Sequence, residues 1–249
     1  MAALRPLIAG NWKMNLLRAE AAALAKNLTE TLGAGGGLAA DVAVCPPFTA
    51  LAAVGAALAG RAIALGAQDC HEKPSGAFTG SVSAPMLKDL GCRYVILGHS
   101  ERRHVLGETD ALVNAKVGAA LAAGLTPILC LGETADERDA GKTLEVVRRQ
   151  LAGSLPKGTG AVVIAYEPVW SIGTGRVPTD ADIAVVHRAL RGALAGARPD
   201  GGAIPILYGG SAKPDNAKAL LGIDEVGGLL VGGASLDALG FAAMVRAAG

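Results

Sequence analysis

Glu167 closes the apolar run Ala161-Val162-Val163-Ile164-Ala165-Tyr166 and is followed at once by Pro168-Val169-Trp170-Ser171-Ile172-Gly173-Thr174-Gly175. Pro168 ends the ladder of a buried strand, so the carboxylate falls at the strand's C-terminal edge, beneath a loop that is hinged at one end and tipped with glycine. That layout suits a buried general base under a lid. A lone glutamate at a strand end is more often a solvated cap, so the reading needs partners. Candidates follow other apolar runs: Asn11-Trp12-Lys13-Met14-Asn15, Gly98-His99-Ser100-Glu101-Arg102-Arg103, Gly209-Gly210-Ser211 and Gly232-Gly233-Ala234-Ser235. Taken singly, Lys13 is a surface lysine, His99 a satisfied polar residue, and the glycine pairs are turns. Taken together they supply an ammonium, an imidazole, a carboxylate and backbone N–H groups able to hold a phosphate at the start of a helix. A short phosphorylated substrate among them would suit proton abstraction beside a carbonyl.

Such a meeting requires parallel strands whose C-terminal ends share one face. Short apolar runs begin near Leu7, Val42, Ala62, Tyr94, Thr126, Val162, Ile204 and Leu229, and helical or alanine-rich segments fill the intervals. Eight such units in 249 residues predict an α/β chain, a (β/α)8 barrel of eight parallel strands ringed by helices, over an open doubly wound sheet. Residues 1–249 then form a single barrel domain. The stripe Leu17, Ala21, Leu24, Leu28 and Leu32 predicts the first helix. Ile183, Val186, Leu190 and Leu194 behind Thr179 and Asp182 predict a capped sixth one. Pro214 fits a first helical position, and Gly33 to Gly37 reads as a turn. With 51% apolar but only 3% aromatic residues, the interior is built from Ala, Val, Leu and Ile, as suits parallel strands under helices.

A net charge of +1 with mixed signs gives no footprint for nucleic acid or an anionic membrane. Cys45, Cys70, Cys92 and Cys130 lack metal-ligand spacing, and most lie in or beside apolar runs, so reduced buried thiols and no metal are expected. Neither a secretory signal nor a membrane span is predicted, which points to a soluble, cytoplasmic protein.

The segments Ala9 to Asn15, Gly98 to Arg103, Ala165 to Gly175, Tyr208 to Ser211 and Val231 to Ser235, with Gly76-Ala77-Phe78-Thr79-Gly80 and Gly141-Lys142-Thr143-Leu144, closely resemble the triosephosphate isomerase family, in order and across nearly the whole chain. The resemblance implies a TIM barrel and interconversion of dihydroxyacetone phosphate and D-glyceraldehyde 3-phosphate, a step of glycolysis and gluconeogenesis, without metal or organic cofactor. It assigns Glu167 as the proton carrier through an enediolate, neutral His99 as hydrogen-bond donor, Lys13 as fixed positive charge, Asn11 as the group orienting Lys13, and Glu101 as an acidic neighbour behind Lys13 and His99. Gly173, Ser211, Gly232 and Gly233 would hold the phosphate, and the loop from Pro168 to Pro178 would close over it.

Two departures stand out. The second lid hinge is Arg176-Val177-Pro178 where the family commonly has Lys-Thr-Ala. Ser81 replaces a glutamate that in many members pairs with an arginine of a second subunit, here Arg102, which puts one intersubunit ion pair in doubt. The loop around Phe78 and Thr79 still looks like a projection that inserts beside Asn11 and Lys13 of a second copy, implying a homodimer. A phosphate-binding module without catalysis would also explain the glycine turns, but not Lys13, His99 and Glu167 together.

Overall fold

The computed structural model describes residues 5–33, 37–172 and 176–249. Each apolar run forms a strand: β1 Leu7–Asn11, β2 Asp41–Cys45, β3 Ile63–Ala67, β4 Tyr94–Leu97, β5 Thr126–Leu131, β6 Val163–Tyr166, β7 Ile206–Tyr208 and β8 Gly228–Val231. All pair in parallel in sequence order, and β1 also pairs with β8, from Leu7 opposite Gly228 to Gly10 opposite Val231. This last ladder closes the (β/α)8 barrel and leaves no free sheet edge.

The strands explain their own composition. Successive side chains point to opposite faces of a strand, so Leu7, Ala9, Ala43, Cys45, Tyr94, Ile96, Ile128, Cys130, Val163, Ala165, Leu207 and Leu230 pack together as one buried cluster inside the barrel. Their alternate neighbours, among them Ile8, Val42, Val44, Val95, Leu97, Leu129, Ile164, Ile206 and Val231, join the larger cluster against the helices. Both faces are buried, hence the nearly continuous apolar runs.

The outer ring comprises α1 Arg18–Leu32, α2 Leu51–Leu58, α3 Ala84–Asp89, α4 Ser100–Val105, α5 Asp110–Ala122, α6 Ala135–Asp139, α7 Thr143–Ser154, α8 Asp180–Ala197, α9 Ala217–Leu221 and α10 Ala238–Arg246. In α8, Thr179 accepts the Asp182 N–H at 3.2 Å while Asp182 accepts the Thr179 N–H at 3.1 Å, the expected reciprocal cap. Ile183, Val186, Leu190 and Leu194 are all buried. In α1, Ala21 and Leu28 are buried with Ala25 and Thr29. Leu17 instead precedes the first turn as N-cap and is 76% exposed, so it leaves the predicted stripe.

Two boundaries differ from expectation. β7 begins at Ile206 because Pro205 has no N–H to give the ladder, although its carbonyl accepts from Ile164 at 2.9 Å. Pro214 does not open a helix. The Asn216 side chain accepts the Lys213 N–H at 2.8 Å, folding that segment into a turn, and α9 starts only at Ala217. Among the described residues, no helix is long and apolar enough to cross a membrane, and all four cysteines are free and buried.

Candidate active site

Closure carries Asn11 at the end of β1, His99 just past β4 and Glu167 just past β6 to one mouth. The Asn11 side-chain oxygen accepts the Lys13 N–H at 3.0 Å. Lys13 has φ of 50°, a left-handed conformation uncommon for a residue with a side chain. Gln68 fixes this bend by donating to the carbonyls of Lys13 and Cys45, each at 2.8 Å. The Lys13 ammonium then lies 2.6 Å from Glu101 Oε1.

His99 caps α4, its Nδ1 accepting the Glu101 N–H at 3.2 Å. That bond leaves the ring proton on Nε2, which lies 2.9 Å from Glu167 Oε1, while Glu167 Oε2 accepts the Ser100 N–H at 3.0 Å. Glu167 is 2% exposed. Gly132 on the neighbouring strand end makes its approach possible, since a Cβ there would overlap the Glu167 carbonyl oxygen.

Burial by itself would push the Glu167 carboxyl up. The adjoining His99, the Ser100 N–H and the Cys130 thiol outweigh it, and the pKa lies below the ordinary carboxylate value. For His99, burial pulls the imidazole down, but the Glu167 carboxylate prevails and the pKa is raised while the two are joined. The Glu101 charge adds a smaller raising influence, which the Lys13 ammonium opposes. Burial and the Glu101 N–H at Nδ1 both favour the neutral ring.

Lys13, His99 and Glu167 face a cavity of about 260 Å³ whose far wall is Gly209, Gly210, Ser211, Gly232 and Gly233. Several of these glycines are dictated by space. A Cβ at Gly210 would overlap the Tyr208 hydroxyl, and one at Gly209 would meet Glu167 Cγ at 2.9 Å. After β8, Gly232 caps a 3-10 turn, Gly233–Leu236, whose first N–H groups have no acceptor within the turn. After β7 the expected helix does not follow directly, because the turn at Lys213 to Asn216 intervenes. Any anion there is met by single amides and not by a helix dipole. The Ser211 hydroxyl donates to the Ser171 carbonyl at 3.1 Å. Gly173, the remaining candidate phosphate ligand, lies outside the described residues.

Sequence reasoning passed over two strand ends. After β3 stands Gln68. After β5 stands Glu133, fully buried, which accepts from the Trp170 indole at 2.8 Å and the Tyr166 hydroxyl at 3.1 Å. Arg138 covers the Trp170 ring at 3.9 Å, so the first lid hinge is tied to the barrel from two sides. Both residues follow an apolar run, as Glu167 does, and the same positional rule would have found them.

A closed parallel barrel with ionisable side chains at the C-terminal ends of its strands, facing a glycine-lined corner, is the arrangement of the (β/α)8 barrel enzymes, which work at that mouth. Residues 6–248 match the family model described as triosephosphate isomerase. The chain is 57% identical to the triosephosphate isomerase of Xanthobacter flavus and 55% to that of Xanthobacter autotrophicus, covering 98% of this chain in both cases and 98% and 96% of those proteins. The crystal structure of triosephosphate isomerase from Bartonella henselae superposes with a TM-score of 0.90 at 43% identity, over 98% of this chain and 99% of that one. The chain belongs to the triosephosphate isomerase family.

Proposed function

We propose that Glu167, His99 and Lys13 divide the work of one proton transfer at this mouth. The reaction is the interconversion of dihydroxyacetone phosphate and D-glyceraldehyde 3-phosphate, an aldose–ketose isomerisation of glycolysis and gluconeogenesis. Glu167 takes the proton from one substrate carbon and returns it to the next. The enediolate oxygens formed between are more basic than the carbonyl and hydroxyl they replace, so preorganised donors stabilise the transition state more than the ground state. Neutral His99 donates from Nε2, Lys13 supplies positive charge, Asn11 holds the Lys13 backbone, and Glu101 holds its ammonium. The phosphate is bound by N–H groups of Gly173, Ser211, Gly232 and Gly233. This scheme uses no metal or organic cofactor.

The observation carrying the reading is the 2.9 Å contact between His99 Nε2 and Glu167 Oε1 on the wall of a cavity that Lys13 and the glycine corner share. Base and donor are mutually satisfied when the site is empty. A substrate carbonyl replaces Glu167 as the acceptor for His99, and the carboxylate, released into a site from which the lid excludes water, becomes a stronger base. The decisive measurement is aldehyde–ketone exchange on the three-carbon phosphate followed by proton NMR, with Glu167→Gln as comparison. Turnover near wild type in that variant removes Glu167 as the base, and an inactive wild-type chain that still binds phosphate leaves a binding module.

A single domain over residues 1–249, a cytoplasmic location and a homodimer complete the proposal. Phe78 is 41% exposed, and Met14, Val105 and Leu106 are 95%, 77% and 62% exposed. Met14, Val105 and Leu106 line a second cavity of about 410 Å³ beside Lys13, a place for the Phe78 loop of a second copy, and such apolar surface favours association. Light scattering across a dilution series tests this: a monomer at micromolar concentration contradicts it.

A further inference from the structure

Asp69, just past β3, takes no part in the scheme above, yet it sits in a square of charge that is buried at every corner but Arg102, whose side chain is 30% exposed. Its two oxygens accept from the Lys116 ammonium of α5 at 2.8 and 3.0 Å, and Oδ2 lies 2.8 Å from Arg102 Nη2 of α4. Glu108 closes the other side, 2.7 Å from Arg102 Nε and 2.5 Å from Lys116 Nζ. Two cations thus meet two carboxylates, and Lys116, Asp69 and Glu108 are 5%, 9% and 7% exposed.

We infer that Asp69 is a positioning residue for the isomerase reaction, acting through Arg102 to aim the first turn of α4 at Glu167 and Lys13. Helix α4 has only six residues, too few to hold a direction by its own hydrogen bonds. Its successive residues carry the site: His99 at the cap, the Ser100 N–H on Glu167, and Glu101 on both Lys13 and His99 Nδ1. Arg103 ties the helix back to the Gly98 carbonyl at 2.8 Å and to Asp110 at 2.6 Å. Further bonds from Arg103 to the Ser154 hydroxyl at 3.0 Å and the Cys130 carbonyl at 3.3 Å hold that side of the helix, and Arg102 holds the other. A planar guanidinium held by one carboxylate at Nε and another at Nη2 cannot turn without breaking a charged bond inside the protein. Within its own subunit Arg102 uses Nε on Glu108 and Nη2 on Asp69.

This inference rests on the roles given to His99 and Glu167, and it is tested by variants that leave both in place. In Asp69→Ala, with activity measured well below the unfolding temperature, kcat should fall about ten-fold with KM within about two-fold, because sub-ångström misaim costs rate before binding. NMR titration of the His99 ring should show protonation at higher pH than in wild type, as the Glu101 N–H withdraws from Nδ1. Asp69→Ala with Lys116→Met restores charge balance without restoring the Arg102 contact, and it carries the test should the single variant not fold. Its kcat should stay low while its unfolding temperature recovers. A wild-type kcat in the double variant, or a single variant that loses only thermal stability while kcat and the His99 titration are unchanged, would overturn the inference. Loss of activity in Glu167→Gln bears on the base alone and separates failure of the underlying roles from failure of this one.

Discussion

The two walls of the cavity are built on opposite principles. The wall from β1, β4 and β6 presents ionisable side chains, each held by a second group: Lys13 by Glu101, His99 by the Glu101 N–H, and Glu167 by the Ser100 N–H. The wall from β7 and β8 presents glycine backbone, with Gly210 and Gly209 pressed against Tyr208 and Glu167. Side chains can change protonation and direction during a reaction, which a proton relay requires. Backbone amides cannot, and a phosphate that stays unchanged through the reaction needs only a fixed grip. The difference teaches that chemistry should be lost through one wall and binding through the other.

The largest expected effect is in Glu167→Gln. General-base removal should lower kcat by roughly 10³-fold or more, within or beyond the usual range for acid–base groups, while inhibitor binding, followed by calorimetry, persists. The same variant removes the carboxylate that raises the His99 pKa. The ring should then titrate at lower pH than in wild type, as followed by NMR, because burial is left to outweigh the smaller pull of Glu101. In Gly210→Ala, a Cβ displaces the Tyr208 hydroxyl. Shifting the phosphate wall should reduce kcat/KM by on the order of 10²-fold, chiefly through KM, without moving the His99 titration. A large change in that titration would mean that the walls are not independent.

His187 supplies a reference outside both walls. It packs edge-on to Tyr166 and donates from Nδ1 to the Glu225 carbonyl at 3.1 Å, and burial outweighs that bond and the Glu225 charge and pushes its pKa down to about 4. The unfolded chain binds this proton near pH 6.5 and the folded chain only near 4, so stability falls as pH drops through that window. The loss should be on the order of 3 kcal/mol by pH 4. His187→Gln should remove that part of the acid destabilisation in urea titrations at pH 7 and pH 5. The smallest effect is expected in Glu101→Gln. Its carboxylate is half exposed beside Lys13, and KM should rise a few-fold, in the range of a solvated ion pair. A loss as large as that of Glu167→Gln would make Glu101 part of the chemistry.

Legibility in the sequence followed the range of the physics. The β6 run, its Pro168 terminus and the Thr179–Asp182 cap depend on neighbours within a few residues, and all were readable. So was the eight-fold spacing that places Asn11, Lys13, His99 and Glu167 after strands. Leu17 and Pro214 were misplaced because the terminus of α1 and the turn at Lys213 are set by particular hydrogen bonds, not by periodicity. Asp69, Glu108 and Lys116 gave no local signal at all: three charges scattered through a chain read as surface residues until burial joins them.

The sequence by itself determined the strand and helix periods, the glycines that no side chain could replace, and a motif set specific enough to name the family, because each is written in residue type and short spacing. Closure of β1 on β8, the joining of His99 to Glu167 and the neutral square around Arg102 were decided only by tertiary structure. Those contacts link residues tens to hundreds of positions apart, and their strength comes from removing charged and polar groups from water together, which no linear pattern encodes.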